Sequence, residues 1–184
     1  TVVGMPSDPT TARFKTTLQR PAGEAGWAFL ILPKSASDTL PRRGRTTVKG
    51  TLNGHPFQAM LEPDGQLSHW LRVDARLCDA AGVAPGDPVT LEIAPVVEEP
   101  EPVLPEDFAK ALQAAPAARA VWDRTTTLAR VDWIHWIVSA KQAKTRAKRI
   151  SDACSKLADG ERRVCCFDVS GFYSKALKAP VAAG

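Results

Sequence analysis

The sequence predicts an α+β protein: a small antiparallel β-barrel over residues 12–96, a linker over 97–104 and a compact helical domain over 105–160, with residues 161–184 as a tail of unassigned packing. Three observations carry this prediction. From Arg13 to Ile93, short runs that mostly alternate apolar and polar residues are separated by turn residues, the period-two pattern of strands. Residues 95–105, PVVEEPEPVLP, mix prolines and glutamates without periodicity and mark an extended, semi-rigid spacer. Beyond it, apolar residues recur at three- and four-residue intervals, the period of helices.

In the first domain, a leader at residues 1 to about 11 precedes a half-buried strand in which Phe14, Thr16 and Leu18 alternate with Arg13, Lys15, Thr17 and Gln19. After the turn PAGEAG, the segment WAFLILP places Trp27, Phe29 and Ile31 on one side and Ala28, Leu30 and Leu32 on the other. A strand apolar on both sides predicts a central place in the sheet. Val48, Gly50 and Leu52 share a face of the next strand, Asn53-Gly54 is the strongest hairpin signal in the chain, and Phe57, Ala59 and Leu61 line the return. Asp64-Gly65 supplies another tight turn before Leu67, His69, Leu71 and Val73 alternate, so four strands are expected in antiparallel succession. Asp74 caps a short helix carrying Leu77, Cys78 and Ala81, Gly82 ends it, and Val89, Leu91 and Ile93 form the last strand. Closure into a barrel hides the edges that so many short strands would leave.

In the second domain, Pro105, Glu106 and Asp107 open a helix striped by Phe108, Ala111, Leu112 and Ala115, and Pro116 opens another that runs to about Asp123. Threonines at 125–127 offer caps for a long helix in which Leu128, Val131, His135 and Val138 lie at helical spacing. Ile134 and Ile137 widen its stripe and Trp133 and Trp136 flank it, so this helix is expected to be buried on most sides. Lys141, Lys144, Arg146, Lys148 and Arg149 follow before the apolar marks resume at Ile150, Ala153 and Leu157, so the basic run opens a further amphipathic helix, stopped by Gly160. Two readings of its start stand side by side: Thr145 as an N-cap, or a continuous or barely broken helix, because cations at a helix N-terminus oppose the macrodipole. In the tail, Phe167, Val169, Phe172 and Tyr173 are numerous enough to dock, while the alanine-rich end is expected to be loose.

These residues resemble known families. WAFLILP, the block V-x-G-T-x-N-G-x-P-F from Val48 to Phe57, and RLCDAAGVAPGDPV from Arg76 to Val89 are similar to the DUF1905 domain, which implies a small split β-barrel and no catalytic residues. AGVAPGDPV also looks like the end of AbrB-type DNA-binding barrels. PEDFAKAL, then W-I-x-x-A-K-x-x-x-T-R-x-x-R-I from Trp136 to Ile150, then LADG, resemble the YdeI/OmpD-associated family over about residues 104–160. That resemblance implies a role in protecting bacteria against bacteriocins and antimicrobial peptides.

Composition bounds the function further. A formal charge of +4 is compatible with anionic partners or simply with solubility. No apolar run is long enough to span a bilayer and TVVGMPSDPT lacks a signal pattern, so a soluble, cytoplasmic protein is expected, with its oligomeric state open. Cys78 and Cys154 fall at apolar helical positions and read as small core residues, while the adjacent Cys165 and Cys166 are oxidation-prone if exposed; reduced thiols are expected. His69 reads as a hydrogen-bonded core histidine, His55 as exposed and His135 as partly buried, so three scattered histidines form no metal constellation. Neither a phosphate-cradling glycine loop nor a nucleophile motif is present, so no cofactor, metal or catalytic residue is assigned.

The candidate contact residues are Lys141, Lys144, Thr145, Arg146, Lys148 and Arg149, with Arg146 and Arg149 one helical turn apart and able to grip a carboxylate or phosphate. A solvated helix face, or ion pairs with the acidic linker or Asp152, explains them equally. Three functions follow: a noncatalytic binding or stress-protection protein with an unknown partner, for which an anionic one, nucleic acid or an acidic protein or peptide, is a candidate; a nucleic-acid-binding protein using the basic helix 141–149; and a small-ligand or enzymatic cleft between barrel and helical domain. The first is the reading favoured by the sequence.

Overall fold

The computed structural model describes residues 11–184, so the expected leader lies, Thr11 apart, outside the described residues. The chain forms two compact units, one running to Val97 and taking back Ser170–Gly184, the other comprising Glu98–Val169.

The first unit is a single six-stranded sheet made of β1 (Ala12–Thr17), β2 (Trp27–Ile31), β3 (Thr46–Leu52), β4 (His55–Pro63), β5 (His69–Asp74) and β6 (Pro88–Pro95). The strand order is β1-β6-β3-β4-β5-β2 and every pairing is antiparallel. The sheet curls into a half-barrel, and its two ends meet where the Gln19 N–H donates to the Phe29 carbonyl at 2.8 Å and the Phe29 N–H donates back at 2.9 Å. Inside lie Phe14, Leu30, Val48, Leu71, Leu91 and their neighbours, nearly all without solvent contact.

Three expectations change here. β2 is the last strand in the order, not a central one. It is apolar on both faces because Ala28, Leu30 and Leu32 point into the core while Phe29, 1% exposed, is enclosed on the outer face by Trp27 and Trp70 at ring separations of 6.5 and 6.4 Å. Only β3, β4 and β5 follow one another as neighbours. The connection from β2 to β3 contains helix α1 (Lys34–Ser37) and a further loop, too long for a hairpin, and β2 pairs with β5 instead. The turn at Asp64-Gly65 is also wider than expected: β5 begins at His69, and Asp64 Oδ1 accepts from the Gln66 and Ser68 N–H groups at 2.7 and 2.8 Å.

Other local signals hold. Asn53 and Gly54 both take positive φ, 48° and 81°, as the two-residue turn between β3 and β4 requires. Helix α2 (Ala75–Ala81) is capped by Asp74, whose Oδ1 accepts from the Leu77 N–H at 2.8 Å, and ends at Gly82 with φ 68°. His69 is fully buried: its Nε2 donates to the Gly44 carbonyl at 2.9 Å, and Nδ1 accepts from the Ser37 hydroxyl at 2.6 Å. A carbonyl only accepts, so the ring is held as the neutral tautomer protonated on Nε2.

The second unit packs α3 (Glu106–Gln113), α4 (Pro116–Arg124), α5 (Thr127–Val138) and α6 (Ala143–Ala158) around Phe108, Leu112, Trp122, Trp133, Ile137 and Leu157. Thr126 caps α5, its hydroxyl accepting from the Ala129 N–H at 3.1 Å. The α5 stripe is displaced from the expected one, since Leu128 is 42% exposed while Trp133 is wholly buried. The chain breaks between Val138 and Ala143, so α5 and α6 are separate, and the N-cap of α6 is Gln142; Thr145 lies inside the first turn. Gly160, with φ 95°, follows α6.

Residues 161–184 divide between the units. Phe167 packs edge-on against His135 at 5.1 Å, whereas Phe172 and Tyr173 meet edge-to-face with each other and remain exposed. The alanine-rich end is not loose: Ala182 pairs with Pro21. Cys165 and Cys166, the adjacent pair expected to be oxidation-prone if exposed, bring their sulfur atoms together, while Cys78 and Cys154 are free.

Two outcomes follow. A Cβ on Gly50 would lie 1.8 Å from the Glu92 carbonyl oxygen in β6, so Gly50→Ala is expected to cost about 3 kcal/mol in urea unfolding. Burial first of all lowers the His69 pKa, and a histidine that binds protons less well folded than unfolded stabilises the fold fully above the unfolded value; its contribution is therefore lost as pH falls below about 6.5. Stability measured between neutral and mildly acidic pH should show this slope, and His69→Gln should remove it.

Candidate functional site

The cationic run occupies the start of α6, and the break before it decides what each residue does. At the end of α5, the Ser139 N–H donates to the His135 carbonyl at 3.0 Å, the Ala140 N–H to the Ile137 carbonyl at 3.3 Å and the Ser139 hydroxyl to the Trp136 carbonyl at 3.0 Å. Arg149 reaches back across the break: its Nη1 donates to the Trp136 carbonyl at 2.6 Å and to Ser139 Oγ at 3.2 Å. A cation at a helix C-terminus also meets the negative end of the macrodipole. The guanidinium lies 5.5 Å from the Trp136 ring and Lys156 Nζ, two turns along α6, lies 5.3 Å from it. Arg149 thus joins the end of α5 to the body of α6.

Arg146 points to α3. Its Nε and Nη2 grip Asp107 Oδ2 and Oδ1 at 2.8 and 3.0 Å, a bidentate pair, and Asp107 Oδ1 also accepts from the Phe108 N–H at 2.9 Å. The Arg146 hydrogen bonds are the main reason the Asp107 carboxyl is held below the usual carboxylate range, and Asp107 in turn raises Arg146. Lys148 pairs with Asp152 at 2.8 Å, one turn along the same helix. Thr145 is half-buried, and Lys141 and Lys144 are exposed with no ion-pair partner among the described residues. Of the six candidates, the structure therefore gathers Arg146, Lys148 and Arg149 into contacts inside the helical unit and leaves Lys141 and Lys144 facing outward.

Sequence reasoning missed Arg130. Its Nε and Nη2 hold Glu101 Oε1 and Oε2 at 2.6 and 2.8 Å, and its Nη1 donates to the Thr125 carbonyl at 2.5 Å. The side chain is only 14% exposed, and these bonds hold Glu101 below its ordinary carboxylate value. The proline-glutamate segment is therefore fastened at Glu101 to the α4–α5 corner. A lone arginine amid an apolar stripe was the available signal. Among the described residues, no group of three or more His, Cys, Asp or Glu side chains converges as a metal site would require.

The two arginines should separate on mutation. Solvent screens the Asp107–Arg146 pair, so Arg146→Ala is expected to cost about 1 kcal/mol. Because the Asp107 carboxyl is lowered in the folded state, that contribution is present above the ordinary aspartate value and is lost as pH falls through the lowered one. Arg149→Ala strips a donor from helix-end groups and is expected to cost about 2 kcal/mol. Denaturant titrations of both variants across pH check the order and the difference.

Comparison with known families matches residues 101–160 to the family described as Bacteriocin-protection, YdeI or OmpD-Associated, and residues 14–93 to the Domain of unknown function DUF1905. No curated protein matches the chain. The matched ranges fall on α3 to α6 and on the half-barrel respectively. In chain order, then, a half-barrel that matches DUF1905 precedes a helical segment that matches the YdeI/OmpD-associated family.

Proposed function

We propose that the chain is a noncatalytic, cytoplasmic binding protein that protects against bacteriocins and antimicrobial peptides, with Lys141 and Lys144 as its partner-facing cations on the helical unit. The observation that carries this reading is the match of residues 101–160 to a bacteriocin-protection family. The fate of the cationic run shapes it. Arg146 and Arg149 work inside the helical unit, whereas the two lysines stand exposed beside the positive end of the 16-residue helix α6, where lysine charge and macrodipole reinforce each other. That arrangement suits a single carboxylate or phosphate on a partner.

It suits a long polyanion less well. Two uncommitted lysines release few counterions, giving a slope of log K against log salt of only about −2, much shallower than that of proteins gripping many phosphates. His69 has both ring nitrogens occupied, by Ser37 and Gly44, and offers neither to a ligand.

Bacteria lacking the protein and complemented with wild type or with Lys141→Glu/Lys144→Glu should separate under bacteriocin challenge. Wild type is expected to restore survival, and the charge-reversed variant, folded equally well by circular dichroism, is expected not to. Failure of the wild type to protect would overturn the role. A steep salt-dependent affinity for mixed short DNA and RNA would replace it with nucleic-acid binding.

A further inference from the structure

We propose that the backbone edge at Arg20–Ala22 is a recognition site for an extended peptide, occupied in this chain by its own residues 181–183. This stands on the main chain of the first unit and is independent of the lysines of the helical unit. Beyond β1 the backbone alternates its hydrogen-bonding direction. Gln19 faces Phe29, while the Arg20 carbonyl and the Ala22 N–H face outward. There the Ala183 N–H donates to the Arg20 carbonyl and the Ala22 N–H donates to the Val181 carbonyl, both at 2.8 Å, with Pro21 opposite Ala182 in an antiparallel rung. Pro21 has no N–H, and in this register none is needed, so the proline costs the rung nothing.

Every bond in the rung is main chain to main chain, which any extended segment reproduces. The present occupant leaves space unused. Beside the rung lies a cleft of about 560 Å³ bounded by Thr17, Gln19, Arg20, Pro85 and Gly86, into which it offers only Ala182 and Ala183. The site therefore favours an extended segment with a larger apolar side chain at one of those positions. Upstream of the rung the segment is anchored at Leu177, whose carbonyl oxygen lies 2.0 Å from where a Gly65 Cβ would sit and whose side chain packs on Gly171. The rung can thus open while Leu177 stays in place.

The test uses a labelled peptide of residues Leu177–Gly184, the same peptide with Ala182→Leu, and the parent peptide N-methylated at Ala183. The full chain should bind the parent peptide more weakly than a chain ending at Lys178, because the internal occupant must first leave. The leucine peptide should bind about tenfold tighter than the parent by filling the cleft. The N-methylated peptide, which cannot donate to Arg20, should not bind. A shortened chain with unchanged circular dichroism that binds no peptide, or equal binding of the methylated peptide, would overturn the proposal. So would dimers of the full chain that vanish on shortening, which would put a second copy in the site.

Discussion

Short elements leave backbone carbonyls and amides at their ends, and this chain stands on the side chains and distant segments that satisfy them. Arg149 donates to the Trp136 carbonyl at the end of α5, and Arg130 donates to the Thr125 carbonyl at the end of α4. In the other unit, His69 donates to Gly44 and Ser68 Oγ donates to the Leu32 carbonyl beyond β2. Gln19 and Phe29 pair the strand edges that a curled but incomplete sheet would otherwise expose. Arg130 apart, these partners come from well along the sequence, so the satisfaction of local ends also sets tertiary structure.

That constraint explains why cations spaced like a ligand grip are mostly internal. A guanidinium is the side chain best shaped to serve several acceptors at once, whether they are a carboxylate or the end of a helix. Arg146 and Arg149, one turn apart, serve both uses in the same unit: one closes on Asp107 of α3, the other on Trp136 and Ser139. Lysine, a single charge on a flexible stem, has less to offer a helix end. Lys141 and Lys144 stay outside.

Features encoded within a few residues were legible in the sequence. The Asn53-Gly54 turn, the Asp74 and Thr126 caps, Gly82, the start of α3 at Pro105 and the buried histidine His69 each rest on chemistry contained in a local window or on strand alternation. Features settled by remote partners were not. The break between α5 and α6 lacks the Gly or Pro that usually announces one, and it is held by Arg149 from the following helix. WAFLILP looked central because burial on two faces has the same pattern whether neighbouring strands or a cluster of aromatic rings supply the cover. The Ala-rich end looked loose because alanine carries no hydrophobic signal, yet its rung is built from backbone alone. At the candidate site, residue types and spacing were readable, but which cations were spent internally depended on Asp107, far away in sequence.

The division between spent and unspent groups also governs how function is to be sought. A variant of Arg149 or Arg130 that loses activity reports first on helix ends left unsatisfied, and binding lost through local unfolding would be mistaken for a lost contact. Exposed Lys141 and Lys144 have no such debt to the fold, and the Arg20–Ala22 edge is closed by a segment whose departure leaves the strand pairings of the half-barrel in place. Recognition placed on such surfaces can be altered without endangering the structure beneath. Where Arg130, Arg146 and Arg149 are already committed, that is where a partner has something left to bind.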